Sequence, residues 1–452
     1  MSKKENYDFD VIVIGGGTAG LGAYRTAKSL GKKVLIVEKS EFVTTCANVG
    51  CMPSKLLIAA AENVHEIKNA HHFGIDVKDI KIDGKRVMER VRRERDRFVG
   101  FVKSGAEKIP ENDKLMGLAQ FVDKNTIKVN GKKYSANAFV IATGSRVISL
   151  PIFKDIEKEV LTNESIFELE TIPSSIAVFG AGVIGLELGF AFHNLGSKVT
   201  MFSRGNKLLK LGDNINDYLV NHINESFEFE TNEPVNKVEK ITKNGSVQYK
   251  LYYGNKTKIV EKILVAVGRT ANIDNLGLDV EALGSFNSLT MQLGQSNLFL
   301  AGDVNSDAPL LHVAAKEGPI AGKNASYYPD VKNREYTNVP LSIVFSSPQV
   351  MQVGQTDKLP KNVIIGTVSF EDQGRSRIML KNKGLLNVYF DRDSHIFLGA
   401  EMLGPNAENI AHLLAWQIEQ KATLEQLLEM PFYHPVVEEG VRTAFRDAFS
   451  KV

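Results

Sequence analysis

The stretch Asp10-Val-Ile-Val-Ile-Gly15-Gly16-Gly17-Thr18-Ala19-Gly20 decides the fold. Asp10–Ile14 carries an unbroken apolar run, the pattern of a strand buried on both faces of a parallel sheet. It runs directly into Gly15-x-Gly17-x-x-Gly20. The first of these glycines permits a tight turn, the second lets a pyrophosphate approach the backbone, and the third lets a helix pack close to the strand. A helix is predicted over Leu21–Leu30 and a second buried strand over Lys33–Val37, ending in Glu38. A helix N-terminus offers free N–H groups and partial positive charge to phosphates. Glu38, about 20 residues past the glycines, stands where an acid accepts hydrogen bonds from a ribose.

The same grammar returns 165 residues later. Ile176–Phe179 runs into Gly180-x-Gly182-x-x-Gly185, followed by a predicted helix over Leu186–Leu195 and a strand over Lys198–Phe202. Here the acid is missing, and the strand end reads Ser203-Arg204. A carboxylate would repel a 2′-phosphate. Ser203 removes that repulsion and Arg204 offers a bidentate partner, which favours NADPH while leaving NADH usable. Two dinucleotide sites in one chain suggest one tightly held cofactor and one exchangeable one. Thr171–Ser175 reads as a linker before the second unit. Phe139–Gly144 (FVIATG) and Ile263–Gly268 (ILVAVG) are further buried strands. They run into Thr143-Gly144 and Gly268, where backbone must approach something closely. From about residue 336 the pattern changes to strands with turn signals and a helix over Ala407–Gln420, an α+β arrangement. The fold class is therefore α/β: two Rossmann-like dinucleotide-binding domains plus a C-terminal α+β domain.

At 452 residues the chain is too long for one core and suggests three or four domains. The net charge of +2 gives no electrostatic case for nucleic acid or a membrane surface. The Lys85–Arg97 cluster interleaves bases with acids and apolar residues and reads as the solvated face of a helix. No 18-residue apolar run appears, and the N-terminus has charges without an apolar core, so the cytoplasm is expected. Only two cysteines occur, too few for a secreted disulfide framework.

Those two lie in Cys46-Ala-Asn-Val-Gly-Cys51-Met-Pro-Ser-Lys55. A helical start here would put the sulfurs on nearby turns. Pro53 fits an early helix position, and a helix N-terminus lowers a thiol pKa. A redox disulfide is the favoured reading. A metal site would need further ligands, normally in CxxC pairs, and two inert core cysteines are the other alternative. Near the C-terminus, His434 is followed five residues later by Glu439. Alone, such a histidine is more often structural. Beside a cysteine pair it becomes a proton shuttle with a carboxylate to orient its ring.

In chain order, GGGTAG, CANVGCMPSK, ATGS, GAGVIGLELG, VAVGR, LFLAGDV, SSPQVMQVG and HPVVEE are present. With these landmarks the chain resembles the FAD-dependent pyridine nucleotide–disulfide oxidoreductases over essentially its whole length, closest to the dihydrolipoamide dehydrogenase group. The resemblance implies that Gly15, Gly17, Gly20 and Glu38 bind the ADP half of FAD. It implies that Thr143, Gly144 and Asp303 complete the FAD site. Gly180, Gly182, Gly185, Ser203, Arg204 and Gly268 then belong to the nicotinamide site. It further implies that Lys55 lies by the flavin and pairs with Glu187, that Cys51 is the flavin-proximal thiolate, and that Cys46 is the interchange thiol. His434 becomes the acid–base and Glu439 its orienting partner, both supplied by the opposite subunit of a homodimer. The implied domains are FAD-binding (1–150), NAD(P)-binding (151–272), central (273–335) and dimerisation (336–452). The implied substrate is a small dithiol or disulfide, with lipoyl domains among the candidate partners.

The chain departs from that pattern in places. Phe42-Val-Thr-Thr45 replaces the usual glycines before the first cysteine. Phe432-Tyr433-His434-Pro435-Val436 lacks the His-x-His-Pro-Thr of the lipoamide enzymes. Ser203 resembles glutathione reductase, whereas Ser54 and the segment around His312 resemble the lipoamide group. No cysteine lies beyond Cys51, which argues against mercuric reductase and the large thioredoxin reductases. The leading expectation is a dihydrolipoamide dehydrogenase-type enzyme. The alternatives are an NADPH-dependent reductase of another small disulfide or oxidant, and a flavin-bearing docking protein without turnover.

Overall fold

The computed structural model describes residues 6–243, 245–279, 281–334 and 339–452. The expected boundary at residues 335 and 336 lies outside the described residues. The chain divides into two compact units. One is made of Met1–Pro53, Val91–Ile148 and Gly268–Asn338, and the other of Ser54–Arg90, Ser149–Val267 and Val339–Val452.

The first unit is built on a sheet whose central strands are parallel. Strand Phe9–Ile14 lies between Val34–Glu38 and Lys132–Ile141, and Leu298–Leu300 follows beyond the latter. In register, Ile14 meets Val37 on one side and Ile141 on the other, and Ile141 meets Leu300. Val11, Ile12, Val13, Ile36 and Val140 are fully buried, as strands covered on both faces require. The helix Thr18–Ser29 covers the sheet and packs its Ala19, Ala23 and Ala27 against the helix Leu311–Tyr327. The chain leaves Phe9–Ile14 toward Val34–Glu38 on one side, whereas the sheet beyond its other neighbour, Lys132–Ile141, is extended in the opposite direction by the later strand Leu298–Leu300. The carboxyl end of Phe9–Ile14 is therefore a topological switch point, where α/β sheets hold ligands.

The second unit holds a smaller parallel sheet in the order Glu228–Thr231, Lys198–Ser203, Ser175–Phe179, Lys262–Val265. The helix Val183–Asn194 packs on it. An antiparallel layer, Val235–Lys243, Ser246–Tyr253 and Lys256–Val260, buries Tyr249, Leu251 and Tyr253 against its other face. The same unit contains an antiparallel sheet of strands Leu341–Val344, Gln349–Gly354, Phe397–Gly404, Leu385–Asp391 and Val363–Ser369. Helices Ala407–Glu419 and Glu439–Phe449 pack their apolar stripes onto it around Phe370, Phe390, Phe397 and Phe445.

The two glycine-loop helices begin three residues before the starts read from sequence, at Thr18 and Val183. In each case the second glycine of the motif is the N-cap. A glycine N-cap leaves the first-turn N–H groups without a side-chain partner, and no capping bond forms at either helix.

Candidate active site

The two glycine loops are near copies. Gly15 has φ +107° and Gly180 φ +106°, a region that excludes ordinary side chains. Gly15 N–H donates to Val37 O at 2.7 Å and Gly180 N–H to Phe202 O at 2.8 Å. A Cβ on Gly20 would overlap the Gly15 carbonyl, and one on Gly185 would overlap the Gly180 carbonyl. Gly17 and Gly182 are different. A Cβ on either meets open space, at the uncapped N-terminus of a helix. Each loop is thus closed against its own strand and open where a phosphate would enter.

Around the first loop the other expected residues gather at the same sheet edge, because parallel strands end together. Glu38 Oε2 accepts the Gly16 N–H at 2.6 Å, and Oε1 accepts the Ser40 N–H at 3.1 Å. The Phe42 ring packs over Gly16, which is where the glycines expected before Cys46 have been replaced. Thr143 donates its hydroxyl to Asn272 O at 2.6 Å, and Asn272 returns a bond to Thr143 O at 3.1 Å. This fixes the turn at Gly144, φ +69°. Asp303 accepts from the Ser145 hydroxyl at 2.8 Å, and Ser145 in turn accepts from Arg269 Nε at 2.8 Å. Glu317, 2% exposed, accepts the Gly302 N–H at 2.7 Å and Asn305 Nδ2 at 2.9 Å, and so holds the turn that presents Asp303. Burial pushes the Glu317 carboxyl above its ordinary value, opposed by those two hydrogen bonds. Ser145, Arg269 and Glu317 were not singled out from sequence. The first two lie inside quoted landmarks, ATGS and VAVGR, and the third carries no local signal. An uncapped helix end, open space over Gly17, an acid at the next strand end and Asp303 at the same edge fit the phosphates and ribose of FAD.

The cysteines occupy two consecutive helices. Thr44 caps the short helix Thr45–Val49 by accepting the Ala47 N–H at 3.3 Å, which sets half-buried Cys46 in its first turn. Gly50 leaves helical geometry (φ −129°, ψ −118°), and exposed Cys51 opens the next helix, Cys51–Asn69. The sulfurs therefore do not share one continuous helix, and each sits at a helix start.

On that second helix Lys55 reaches Glu187 of the helix Val183–Asn194. Its Nζ lies 2.8 Å and 2.7 Å from the two carboxylate oxygens. The Glu187 side chain is 5% exposed and that of Lys55 33%. At the second loop, Ser203 ends its strand half-buried and Arg204 is exposed. Gly268, φ +121°, accepts the Ile148 N–H at 3.1 Å.

His434 Nδ1 lies 3.1–3.2 Å from the oxygens of Glu439, which also accepts the Val436 N–H at 3.3 Å. The bond from His434, with that amide and Arg442 adding to it, holds the Glu439 carboxyl below its ordinary range. The His434 side chain is 81% exposed. With Nδ1 committed to Glu439, Nε2 is the ring nitrogen left for proton exchange.

A doubly wound sheet with a dinucleotide cradle, a second cradle on its own parallel sheet, and a cysteine pair at helix starts together define a two-cofactor α/β oxidoreductase. Residues 9–318 match the family model of the pyridine nucleotide-disulphide oxidoreductases, and residues 340–445 match the dimerisation domain of that family. The chain belongs to this family of FAD- and NAD(P)H-using flavoenzymes, and its dimerisation domain supports a homodimer. A dihydrolipoyl dehydrogenase of Geobacillus stearothermophilus is 31% identical over 95% of this chain and 94% of its own. One of Thermus scotoductus is 32% identical over 96% of both. A mercuric reductase of Lysinibacillus sphaericus is 30% identical over 97% of this chain and 82% of its own. The fold is that of the HOCl-induced flavoprotein disulfide reductase RclA of Escherichia coli, solved as a Cu(II) complex. That likeness has a TM-score of 0.81 at 20% identity and covers 98% of this chain and 99% of that one. Among the described residues no helix is long and apolar enough to cross a membrane.

Proposed function

We propose that the chain is a dihydrolipoamide dehydrogenase-type enzyme, exchanging two electrons between a small dithiol and NAD(P)+ through the pair Cys46 and Cys51. The carrying observation is the Lys55–Glu187 pair. It ties the helix that opens at Cys51 to the helix of the second glycine loop. Bound FAD supplies the two-electron exchange between nicotinamide and disulfide. Gly15, Gly17 and Gly20 leave the helix N-terminus bare for its pyrophosphate. Glu38 orients the ribose, while Thr143, Gly144 and Asp303 hold the remainder. Gly180, Gly182 and Gly185 do the same for the nicotinamide cofactor, with Gly268 beside it.

The thiol half-reaction is carried by protein groups alone. Both cysteines stand in the first turn of a helix, where partial positive charge favours thiolate over thiol. A substrate thiolate attacks Cys46 and breaks the Cys46–Cys51 bond, and Cys51 leaves as thiolate. The second substrate thiol then displaces Cys46, closing the substrate disulfide. His434 Nε2 takes the protons these steps release, and Glu439 fixes the tautomer by holding Nδ1–H. We assign His434 and Glu439 to the partner subunit's active site, and divide the chain into the four domains 1–150, 151–272, 273–335 and 336–452. Lipoyl domains are the macromolecular partners that fit this substrate class. A cytoplasmic setting suits a chain whose two cysteines must cycle through the reduced state.

One observation favours a second reading. Ser203 carries no acid and Arg204 is exposed beside it, which suits NADPH and a reductase of another small disulfide or oxidant. Turnover of lipoamide, dihydrolipoamide, glutathione disulfide and further low-molecular-weight disulfides, each with NAD(H) and NADP(H), separates the two. Lipoamide exchange with NAD(P)+ at rates well above those with the other disulfides is expected. NADPH-dependent reduction of a different disulfide with no lipoamide turnover would overturn the leading reading.

A further inference from the structure

The Lys55–Glu187 pair is completed by a third segment. After the strand Leu341–Val344 the chain turns through Phe345-Ser346-Ser347-Pro348 before the strand Gln349–Gly354. The Phe345 backbone N–H donates to Glu187 Oε1 at 3.0 Å. Its ring lies against the Lys55 ammonium, with Nζ 4.4 Å from the ring centroid. One residue thus touches both ions, with its amide on the carboxylate and its π face on the ammonium. A carboxylate as buried as Glu187 needs its lone pairs filled, and this amide fills one that Lys55 shares. Lys55 is a flexible point charge, one-third exposed. Without a wall beside it, the ammonium is free to swing toward water.

The turn is itself anchored from behind. His222 Nε2 lies 2.6 Å from Ser347 O. A carbonyl only accepts, so the ring carries its proton on Nε2. The His222 ring stacks on Phe190 of the Glu187 helix, centroids 5.5 Å apart and planes 15° from parallel. The Ser346 hydroxyl donates to Pro348 O at 2.7 Å, tightening the same turn.

We propose that Phe345 is a positioning residue, holding the Lys55 ammonium against Glu187 with its ring and amide, and so setting the positive charge that Lys55 presents to the bound flavin. The inference rests on the reading above that puts Lys55 beside the flavin. A positive charge held there favours the reduced, more negative cofactor, so loosening Lys55 lowers the flavin's midpoint potential.

The test measures that potential in the FAD-loaded protein by equilibration with reference dyes, with Cys46→Ser and Cys51→Ser present so that the electron pair stays on the flavin, and reads kcat with both cysteines intact. Wild type, Phe345→Leu, Phe345→Met, Phe345→Tyr and Lys55→Met are compared, with thermal melting beside each. Leucine and methionine keep the amide and much of the volume but remove the π face, whereas tyrosine keeps it. Phe345→Leu and Phe345→Met are expected to weaken the reduction equilibrium by about three- to tenfold, which is about 15–30 mV for a two-electron couple. Phe345→Tyr should return the wild-type value, and kcat should fall in the first two variants without a matching change in KM. Lys55→Met should shift the potential further in the same direction. If Lys55→Met shifts it and neither Phe345→Leu nor Phe345→Met does, the positioning role is wrong. It is equally wrong if Phe345→Tyr shifts it as much as Phe345→Leu, since that reports packing alone. If Lys55→Met itself leaves the potential unmoved, the placement of Lys55 at the flavin is what fails.

Discussion

Gly17 and Gly182 separate the needs of the protein from those of its cofactors. Gly17 sits at φ −77°, ψ −170° and Gly182 at φ −84°, ψ −173°, conformations that alanine adopts without strain. A methyl at either position meets no protein atom within 4 Å. Gly17→Ala therefore costs the empty protein nothing in contacts. By narrowing the unfolded ensemble it should stabilise the apoprotein by about 0.4–1 kcal/mol. The same methyl stands at the bare helix N-terminus and holds a phosphate away from the N–H groups. Losing one charge-assisted hydrogen bond there costs about 1.5–3 kcal/mol, or roughly ten- to a hundredfold in FAD affinity. The assay is apoprotein melting together with FAD titration and flavin content as isolated. Gly182→Ala should keep full flavin content and raise KM for the nicotinamide cofactor by a similar factor. Gly20→Ala, whose methyl would overlap the Gly15 carbonyl, should lower apoprotein stability by about 1–3 kcal/mol as well as cofactor affinity. If Gly17→Ala keeps FAD while Gly182→Ala loses it, the two loops have been assigned the wrong way round. If Gly17→Ala unfolds the apoprotein, the space above it is not open.

Arg204→Ala should raise KM for NADPH about tenfold and barely move KM for NADH, and equal effects would remove the 2′-phosphate argument. His434→Ala should leave flavin reduction by NAD(P)H near wild type in rapid mixing while slowing thiol–disulfide turnover at least a hundredfold, and undiminished turnover refutes the proton role. Because hydrogen bonding lowers the folded-state pKa of Glu439 from 4.5, its contribution to stability is complete above the ordinary carboxylate range and fades as pH falls through the lowered value. Glu439→Gln should accordingly lower the urea midpoint near neutrality and match wild type in acid; a gap that persists in acid would exclude this linkage. Trp416 is the only tryptophan and is 59% exposed beside Leu413, 42% exposed, on the helix Ala407–Glu419 within the dimerisation domain. Leu413→Glu should shift the protein toward monomer in sedimentation and red-shift the Trp416 fluorescence, whereas an intact dimer with unchanged emission would place the interface elsewhere.

Much of this was legible in the sequence because its causes are local. A buried parallel strand needs an apolar run, its turn needs a glycine at positive φ, and the following helix needs a third glycine to lie close. All three demands fall within about ten residues of one another, at Gly15–Gly20 and again at Gly180–Gly185. Both helices start three residues earlier than the apolar pattern predicts because Gly17 and Gly182 serve as N-caps, and a glycine cap leaves no side-chain signal. The antiparallel layer Val235–Val260 lies outside the elements expected from sequence, although Tyr249, Leu251 and Tyr253 alternate inward at the period of two that a strand requires. Other contacts had no sequence signal. Arg269 reaches Ser145 across 124 positions, and Phe345 reaches Glu187 across 158. Nothing in the residues around Phe345 distinguishes a core phenylalanine from one lying on an ammonium. The difference is made by where tertiary packing brings the other two segments.

Where the duplicated loops differ, the difference bears on what the two cradles can hold. Gly15 and Gly180 match within a degree of φ, and their helices begin at equivalent residues. At the strand ends, however, Glu38 grips the Gly16 amide at 2.6 Å, whereas Ser203 has no carboxylate to reach Ala181. The Glu38 bond ties the loop to the neighbouring strand before any ligand arrives, so less ordering remains to be done on binding. The second loop lacks this brace and ends beside an exposed cation. A pre-ordered cradle suits a cofactor that stays through every turnover, and an unbraced one suits a cofactor that must leave. In a two-electron relay the resident group has to be the one that meets both nicotinamide and disulfide, and the braced loop belongs to the unit that also carries Cys46 and Cys51.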